Sequence, residues 1–283
     1  MRGASMTDSF EWQGKVGDTW ASEWARTDRS FAELQSVLVD HIAAFAPDAT
    51  RIVDIGCGAG TTTIALATRL PLARCLGIDL SPSLIAVAQG RSAAVPSTRF
   101  TVADVTLWDD PSFHPDLLVS RHGVMFFGDP IAAFAHLRSV AAPGATLVFS
   151  CFRSPTENPW TREIGALLPA LPPTDPHAAG PFAFADAERV GAILTQAGWR
   201  NARAEPVNYA YIAGAGSDPV GDALAFFGQI GPAARAVHDL RGEALADFLG
   251  RLHGSCATIW RAARCHSTRR PGYGRRNDNS KEA

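Results

Sequence analysis

The chain has 283 residues, a net charge of −2, 46% hydrophobic and 19% charged residues. Such a composition can bury a large core, which excludes wholesale disorder. No apolar run reaches the ~18 residues that a membrane span needs, and Met1–Asp8 lacks the apolar stretch of a secretion signal. Five cysteines, at 57, 75, 151, 256 and 265, form no CxxC pair. That spacing argues against a disulfide framework and a zinc site, and a reducing cytoplasm is the expected setting. From Trp260 to Ala283, seven Lys/Arg accompany two Asp/Glu, behind an acidic body. The body carries no basic stripe, so no nucleic-acid partner is expected, and the basic tail is read as solvated and disordered.

Residues 1–14 read as a loop, followed by helices over 15–26 and 30–45. In the second helix Phe31, Leu34, Val37, Leu38, Ile42 and Phe45 recur at helical spacing. Strands then alternate with helices. Arg51–Ile55 is a strand, Gly56–Gly60 a turn and Thr61–Leu70 a helix. Residues 74–79 form a second strand, and Ser81-Pro82 caps and opens a helix to about Gln89. Strands follow at 99–104, 116–120 and 146–152, with a helix opened by Asp129-Pro130 between the last two. Residues 153–183 hold seven prolines and read as a long irregular connection with a short helix at 161–168. Asp186 caps a helix ending at Gly198, Arg203–Ile212 alternates like a sixth strand, and helices follow near 218–229 and 232–253. The alternation predicts a parallel sheet covered on both faces, with ligands bound at the carboxyl ends of the strands.

Those ends carry the candidate chemistry. Gly56-Cys57-Gly58-Ala59-Gly60 joins a strand to a helix, where glycine lets the backbone turn tightly and approach a ligand. A dinucleotide fingerprint would place a third glycine at position 61, which is threonine, and no Gly-Lys-Ser/Thr of a P-loop follows. Asp79 ends the second strand, where a carboxylate can accept from both hydroxyls of a ribose. Asp104, with the backbone N–H of Val105, can read an adenine edge. Three acids, Asp54, Asp79 and Asp104, at three successive strand ends point to an adenosine-like ligand.

Val53–Gly60, Gly77–Ser81 and Ala103–Val105 resemble the class I S-adenosylmethionine-dependent methyltransferases. Trp12–Gly17, Ser120–Phe127, Glu157–Trp160 and Gly180–Asp186 are similar to the bacterial ubiquinone/menaquinone-type group within them. The resemblance spans about residues 9–254. It implies a Rossmann-like, doubly wound, mostly parallel seven-stranded sheet with a helical cap. It also implies S-adenosyl-L-methionine as cofactor. Asp54, Gly56, Cys57, Gly58 and Gly60 would lie along its methionine part, Asp79 and Leu80 at ribose and adenine, and Asp104 and Val105 at the adenine edge. Arg121 would meet the cofactor backbone or the substrate, and Trp12 and Trp20 would either cover the site or pack the N-terminal helices.

His122, just past the fourth strand, is the candidate base for an acceptor that must lose a proton. Phe152, Trp160, Phe182, Phe184, Phe226 and Phe227 suggest a small apolar or aromatic acceptor, with the cap's own core as their other reading. No metal is expected, and a homo-oligomer is left open. The implied organisation is an N-terminal helical segment at 1–46, a cofactor-binding core at 47–152, a cap with the remaining sheet elements at 153–255 and a disordered basic tail at 256–283. Cys256–Trp260 is the sole candidate for a seventh strand, so that strand is expected to be missing or degenerate. An altered reading frame near residue 255 is one cause of such a loss. Two alternatives remain at this stage: an NAD-dependent oxidoreductase, disfavoured by Thr61, and a non-catalytic cofactor-binding or regulatory protein.

Overall fold

The computed structural model describes residues 9–169, 175 and 177–267. Four helices come first: α1 (Ser9–Trp12), α2 (Lys15–Ser22), α3 (Trp24–Ser30) and α4 (Ala32–Phe45). The alternating unit follows as β1 (Arg51–Ile55), α5 (Thr61–Arg69), β2 (Arg74–Asp79), α6 (Pro82–Arg91), β3 (Thr98–Val102), β4 (Leu117–Arg121), α7 (Pro130–Val140) and β5 (Thr146–Ser150). The remainder is helical: α8 (Pro159–Gly165), α9 (Ala187–Gln196), α10 (Pro219–Gln229), α11 (Pro232–Asp239) and α12 (Gly242–Ser267).

The five strands pair in parallel in the order β3-β2-β1-β4-β5. The chain leaves β1 toward one edge, then returns to its other side as β4. The crevice for a ligand therefore opens beyond the carboxyl ends of β1 and β4. Side-chain alternation splits the sheet's two faces. Val53, Ile55, Ile78 and Leu118 point to a core shared with Phe134 and Leu137 of α7 and Val190 and Ile193 of α9. Ile52, Cys75, Leu117 and Val119 point to a second core with Leu38 and Ile42 of α4 and Leu66 of α5. The helix starts read from sequence hold: Ser81, Asp129 and Asp186 each accept backbone N–H bonds from the first turn of the following helix.

Several expectations are corrected. Among the described residues the sheet has five strands, not seven. Arg203–Ile212 has no regular secondary structure and joins no ladder among the described residues. Its backbone is held by side chains instead: Ala210 N–H donates to Glu33 Oε2 at 2.8 Å, and Arg29 donates to the carbonyls of Ile212 and Ala213. Tyr209 and Tyr211 turn inward onto Phe31 while the residues before them stay exposed. Alternation placed those tyrosines correctly, yet a strand exists only where a partner supplies the hydrogen bonds.

Cys256–Trp260 is not a strand but part of α12, which runs to Ser267. Phe248, Leu252 and Cys256, spaced four apart, are at most 2% exposed and pack with Phe226, Phe227 and Ile164 into a separate cap core. Residues 256–267 are thus helical rather than an irregular tail. Residues 9–12 form a helix inside the expected loop, the 15–26 helix breaks at Glu23, and the 232–253 helix breaks at 240–241. Residues 1–8 of the expected N-terminal loop, prolines 172, 173 and 176, and the tail from 268 lie outside the described residues.

Two substitutions check the cap. Leu252→Ala, at a fully buried site, is expected to cost about 2–5 kcal/mol. Cys256→Pro, inside α12, is expected to cost about 3 kcal/mol or more through the lost helical hydrogen bond and ring clash. Urea midpoints measure both, and an unchanged midpoint for Cys256→Pro would contradict a helix there.

Candidate active site

The turn after β1 is built on left-handed backbone. Gly56, Gly58 and Gly60 have φ of 62°, 53° and 81°, a region that glycine enters without steric cost. The three serve different ends. A Cβ on Gly60 would meet the Phe100 ring at 2.8 Å, and one on Gly56 would lie 3.1 Å from the backbone of Gly123. A Cβ on Gly58 would meet nothing within 4 Å. Gly58 therefore offers bare backbone to the crevice, while its neighbours satisfy packing. Cys57 is buried, with its sulfur close to Gly77. Thr61, where a dinucleotide site would have glycine, donates its hydroxyl to Asp28 Oδ2 at 2.5 Å.

The three acids differ in state. Asp79 accepts from the N–H of Gly58 on one oxygen, at 2.8 Å, and of Ser81 on the other, at 2.9 Å. Burial pushes its pKa up, and these N–H bonds oppose that. Each oxygen keeps lone pairs for a ligand. Leu80, partly exposed, follows on the same rim. Among the described residues Asp104 uses only Oδ1, on the N–H and hydroxyl of Thr106. Val105 is 7% exposed, and its N–H has no hydrogen-bond partner among the described residues. A carboxylate oxygen and a buried N–H, both unspent and adjacent, fit the edge of a base.

Asp54 is 1% exposed, beneath the glycine turn, and accepts from the Thr63 hydroxyl at 2.6 Å. It thereby ties β1 to α5. Desolvation raises its pKa to about 7, against the lowering effects of Thr63 and of the Arg121 charge.

Past β4 the chain turns sharply. His122 has φ of 63°, unusual for a residue with a side chain, and its Nδ1 lies 2.9 Å from Ser150 Oγ. Burial and the neighbouring Arg121 charge lower its pKa to about 3. A histidine held neutral in this way is a weak base at neutral pH. Gly123 completes the turn because a Cβ there would meet the Ile55 carbonyl at 2.6 Å.

The N-terminal helices close over this rim. Asp28 of α3 accepts from Arg91 at 2.8 Å and Arg121 at 3.2 Å, besides Thr61. Arg91 also donates to the Ala59 carbonyl and lies 4.0 Å from the Trp24 ring centroid. Trp12 packs edge-on to Phe126, and Trp20 sits with Ala59 and Leu84. Asp28 and Arg91 were not singled out by sequence, and Phe31 only as part of a helical stripe, since no local spacing marks a residue that reaches the site from another element. Phe226 and Phe227, expected over an acceptor, are each 1% exposed and belong to the cap's own core.

A parallel sheet with its topological switch point between β1 and β4 defines a Rossmann-like α/β fold. Residues 52–144 match the family described as a methyltransferase domain. The chain is similar to trans-aconitate 2-methyltransferase of Variovorax paradoxus (strain S110), at 32% identity over 131 residues, 42% of this chain and 49% of the relative. It is similar to malonyl-[acyl-carrier protein] O-methyltransferase 1 of Ilyobacter polytropus, at 26% identity over 153 residues, 53% of this chain and 57% of the relative. The chain thus spans about half the length of these curated relatives. They leave the resemblance to the ubiquinone/menaquinone-type group unconfirmed. In fold it resembles magnesium protoporphyrin IX methyltransferase from Synechocystis PCC 6803, solved with bound S-adenosylhomocysteine. The TM-score is 0.51 at 18% identity, over 69% of this chain and 94% of that one.

Asp54 makes stability depend on pH. A carboxyl whose folded pKa is raised favours the folded state below the unfolded pKa, near 4, and loses that contribution as pH rises through about 7. The shift corresponds to roughly 4 kcal/mol at most. Asp54→Asn, which keeps an acceptor for Thr63, is expected to flatten this dependence and to raise the urea midpoint at pH 8 relative to the parent. A parent protein equally stable at pH 5 and pH 8 would contradict the assignment.

Proposed function

We propose that the protein transfers the methyl group of S-adenosylmethionine to a small acceptor. The observation that carries this is the set of unspent polar groups at the strand ends: the Asp79 lone pairs, Asp104 Oδ2 and the Val105 N–H, beside the bare backbone of Gly58. On this reading Asp79 holds the ribose hydroxyls, Leu80 packs on the base, and Asp104 and Val105 read its edge. Gly56, Cys57, Gly58 and Gly60 line the methionine part, and Asp54 holds the turn from below.

The cofactor, when bound, supplies a sulfonium methyl group ready for in-line displacement. The chain's task is then to align an acceptor and to exclude water, and alignment alone can be worth ~7–11 kcal/mol. The N-terminal helices and the cap serve the exclusion. The neutral, strained His122 suits positioning better than proton abstraction, so an acceptor already nucleophilic at neutral pH is favoured. An apolar or aromatic body for the acceptor is supported by Phe31, Phe152, Trp160 and Phe182, which meet beside the crevice. The free cysteines support a reducing setting such as the cytoplasm, and no helix among the described residues is long and apolar enough to cross a membrane.

Calorimetric titration tests the reading. S-adenosylmethionine and S-adenosylhomocysteine are expected to bind the folded protein, NAD is not, and Asp79→Ala is expected to weaken binding at least tenfold. Preference for NAD would sink the proposal, as would binding unaffected by Asp79→Ala.

A further inference from the structure

Five aromatic rings meet where the rim of the sheet, the N-terminal helices and the cap converge. His122 lies 5.0 Å from Phe31 and 4.3 Å from Phe152, between centroids. Trp160 of α8 lies 5.9 Å from Phe152 and stacks on Tyr211 at 5.3 Å, and Tyr211 returns to Phe31 at 5.5 Å. Three nitrogens in and beside this cluster are buried without a hydrogen-bond partner among the described residues: Arg121 Nη1, His122 Nε2 and Trp160 Nε1. A buried donor left unpaired lowers stability, and native proteins keep few of them. The three nitrogens of this cluster, beside the proposed site, are available to an oxygen-rich ligand.

The chemistry of that ligand follows from the donors. Trp160 Nε1 can only donate, and so can Arg121 Nη1. His122 is uncharged, and its Nε2 donates when Nδ1 accepts from the Ser150 hydroxyl. Arg121 brings a full positive charge that is incompletely matched. Its partner Asp28 is shared with Arg91 and Thr61, which approach at 2.8 and 2.5 Å against 3.2 Å for Arg121. Two guanidinium groups on one carboxylate leave a net positive charge. Arg29, the next cation along α3, is committed to Asp222 and to the carbonyls of residues 212 and 213. Asp54, the buried carboxyl that the Arg121 charge acts on, is already bonded to Thr63. The Arg121 guanidinium also lies over the Phe31 ring, 5.4 Å from its centroid, which fixes its plane beside the aromatic wall.

We infer that the acceptor is an arylcarboxylate-like molecule, a flat apolar body bearing an anionic oxygen that Arg121 and Trp160 hold by hydrogen bonds. The inference rests on the methyltransferase reading and deepens it by naming the substrate class. Arg121 and Trp160 become specificity residues. An arginine-bound carboxylate with an indole N–H at its side is a charge-assisted pair, so a neutral isostere leaves both donors unpaired and binds more weakly.

The test uses the full-length protein loaded with S-adenosylhomocysteine. Benzoate, trans-cinnamate and indole-3-acetate are titrated beside their amides, by calorimetry and by tryptophan fluorescence. At least one acid is expected to bind tenfold or more tightly than its amide. Arg121→Gln is expected to bring that ratio close to one, and Trp160→Phe, which keeps the ring stack, to reduce it several-fold. The acid-to-amide ratio of the parent protein stands whether or not either variant folds. Equal affinities for acid and amide, or no binding of any acid by loaded protein, would overturn the inference. Acid binding with no binding of S-adenosylhomocysteine would sustain it and overturn the methyltransferase reading instead. Failure of both ligands on folded protein would overturn both.

Discussion

The carboxylate of Asp79 is the contact on which the site depends. One oxygen receives the N–H of Gly58, and the other receives the N–H of Ser81. The end of β2 is thereby tied both to the turn after β1 and to the start of α6. A backbone that runs left-handed at three glycines within five residues has no side chains to brace it. Backbone N–H groups donating to a buried carboxylate do that work. Without them the turn would lose its fixed distance to the sheet, and the bare surface at Gly58 would no longer face the crevice in one geometry.

A second layer of order comes from a short helix. α3 is only seven residues long, yet it is bonded on both sides. Asp28 reaches Thr61, Arg91 and Arg121 on the sheet side. Arg26 and Arg29 reach Asp222 at the start of α10, and Arg29 also reaches the carbonyls of residues 212 and 213. Isolated surface ion pairs contribute little, but these groups share partners and are mostly shielded from water. The segment at 203–212 is held in this way instead of by a neighbouring strand. The outer edge of β5 is accordingly left without a paired strand among the described residues.

Much of the site was legible because its chemistry is local. The turn needs glycine where φ is positive, the acids stand at strand ends, and the helix caps carry Ser-Pro or Asp-Pro. Each signal lies within a few residues of its effect. His122 was legible only as a residue type in a suggestive place. Burial and the adjacent Arg121 charge, which no spacing reveals, make it neutral and a weak base. The cap was misread for a related reason. Leu245, Phe248, Leu252, Cys256 and Ile259 carry a helical stripe across the sole candidate for a seventh strand. Packing against α8 and α10 decides in favour of the helix.

The sequence by itself determined the β/α alternation, the parallel core, the glycine turn and the acids at the strand ends. Those features follow from hydrophobic period and from backbone conformations that few residues can adopt. Only the tertiary structure decided the number of strands, because a strand requires a partner that alternation cannot supply. It alone brought Asp28 to Arg91 and Arg121 across 63 and 93 residues of sequence. It alone gathered Phe31, His122, Phe152, Trp160 and Tyr211 around nitrogens that have no partner among the described residues. Burial and charge balance belong to the assembled neighbourhood of a residue, and no short stretch of sequence contains that neighbourhood.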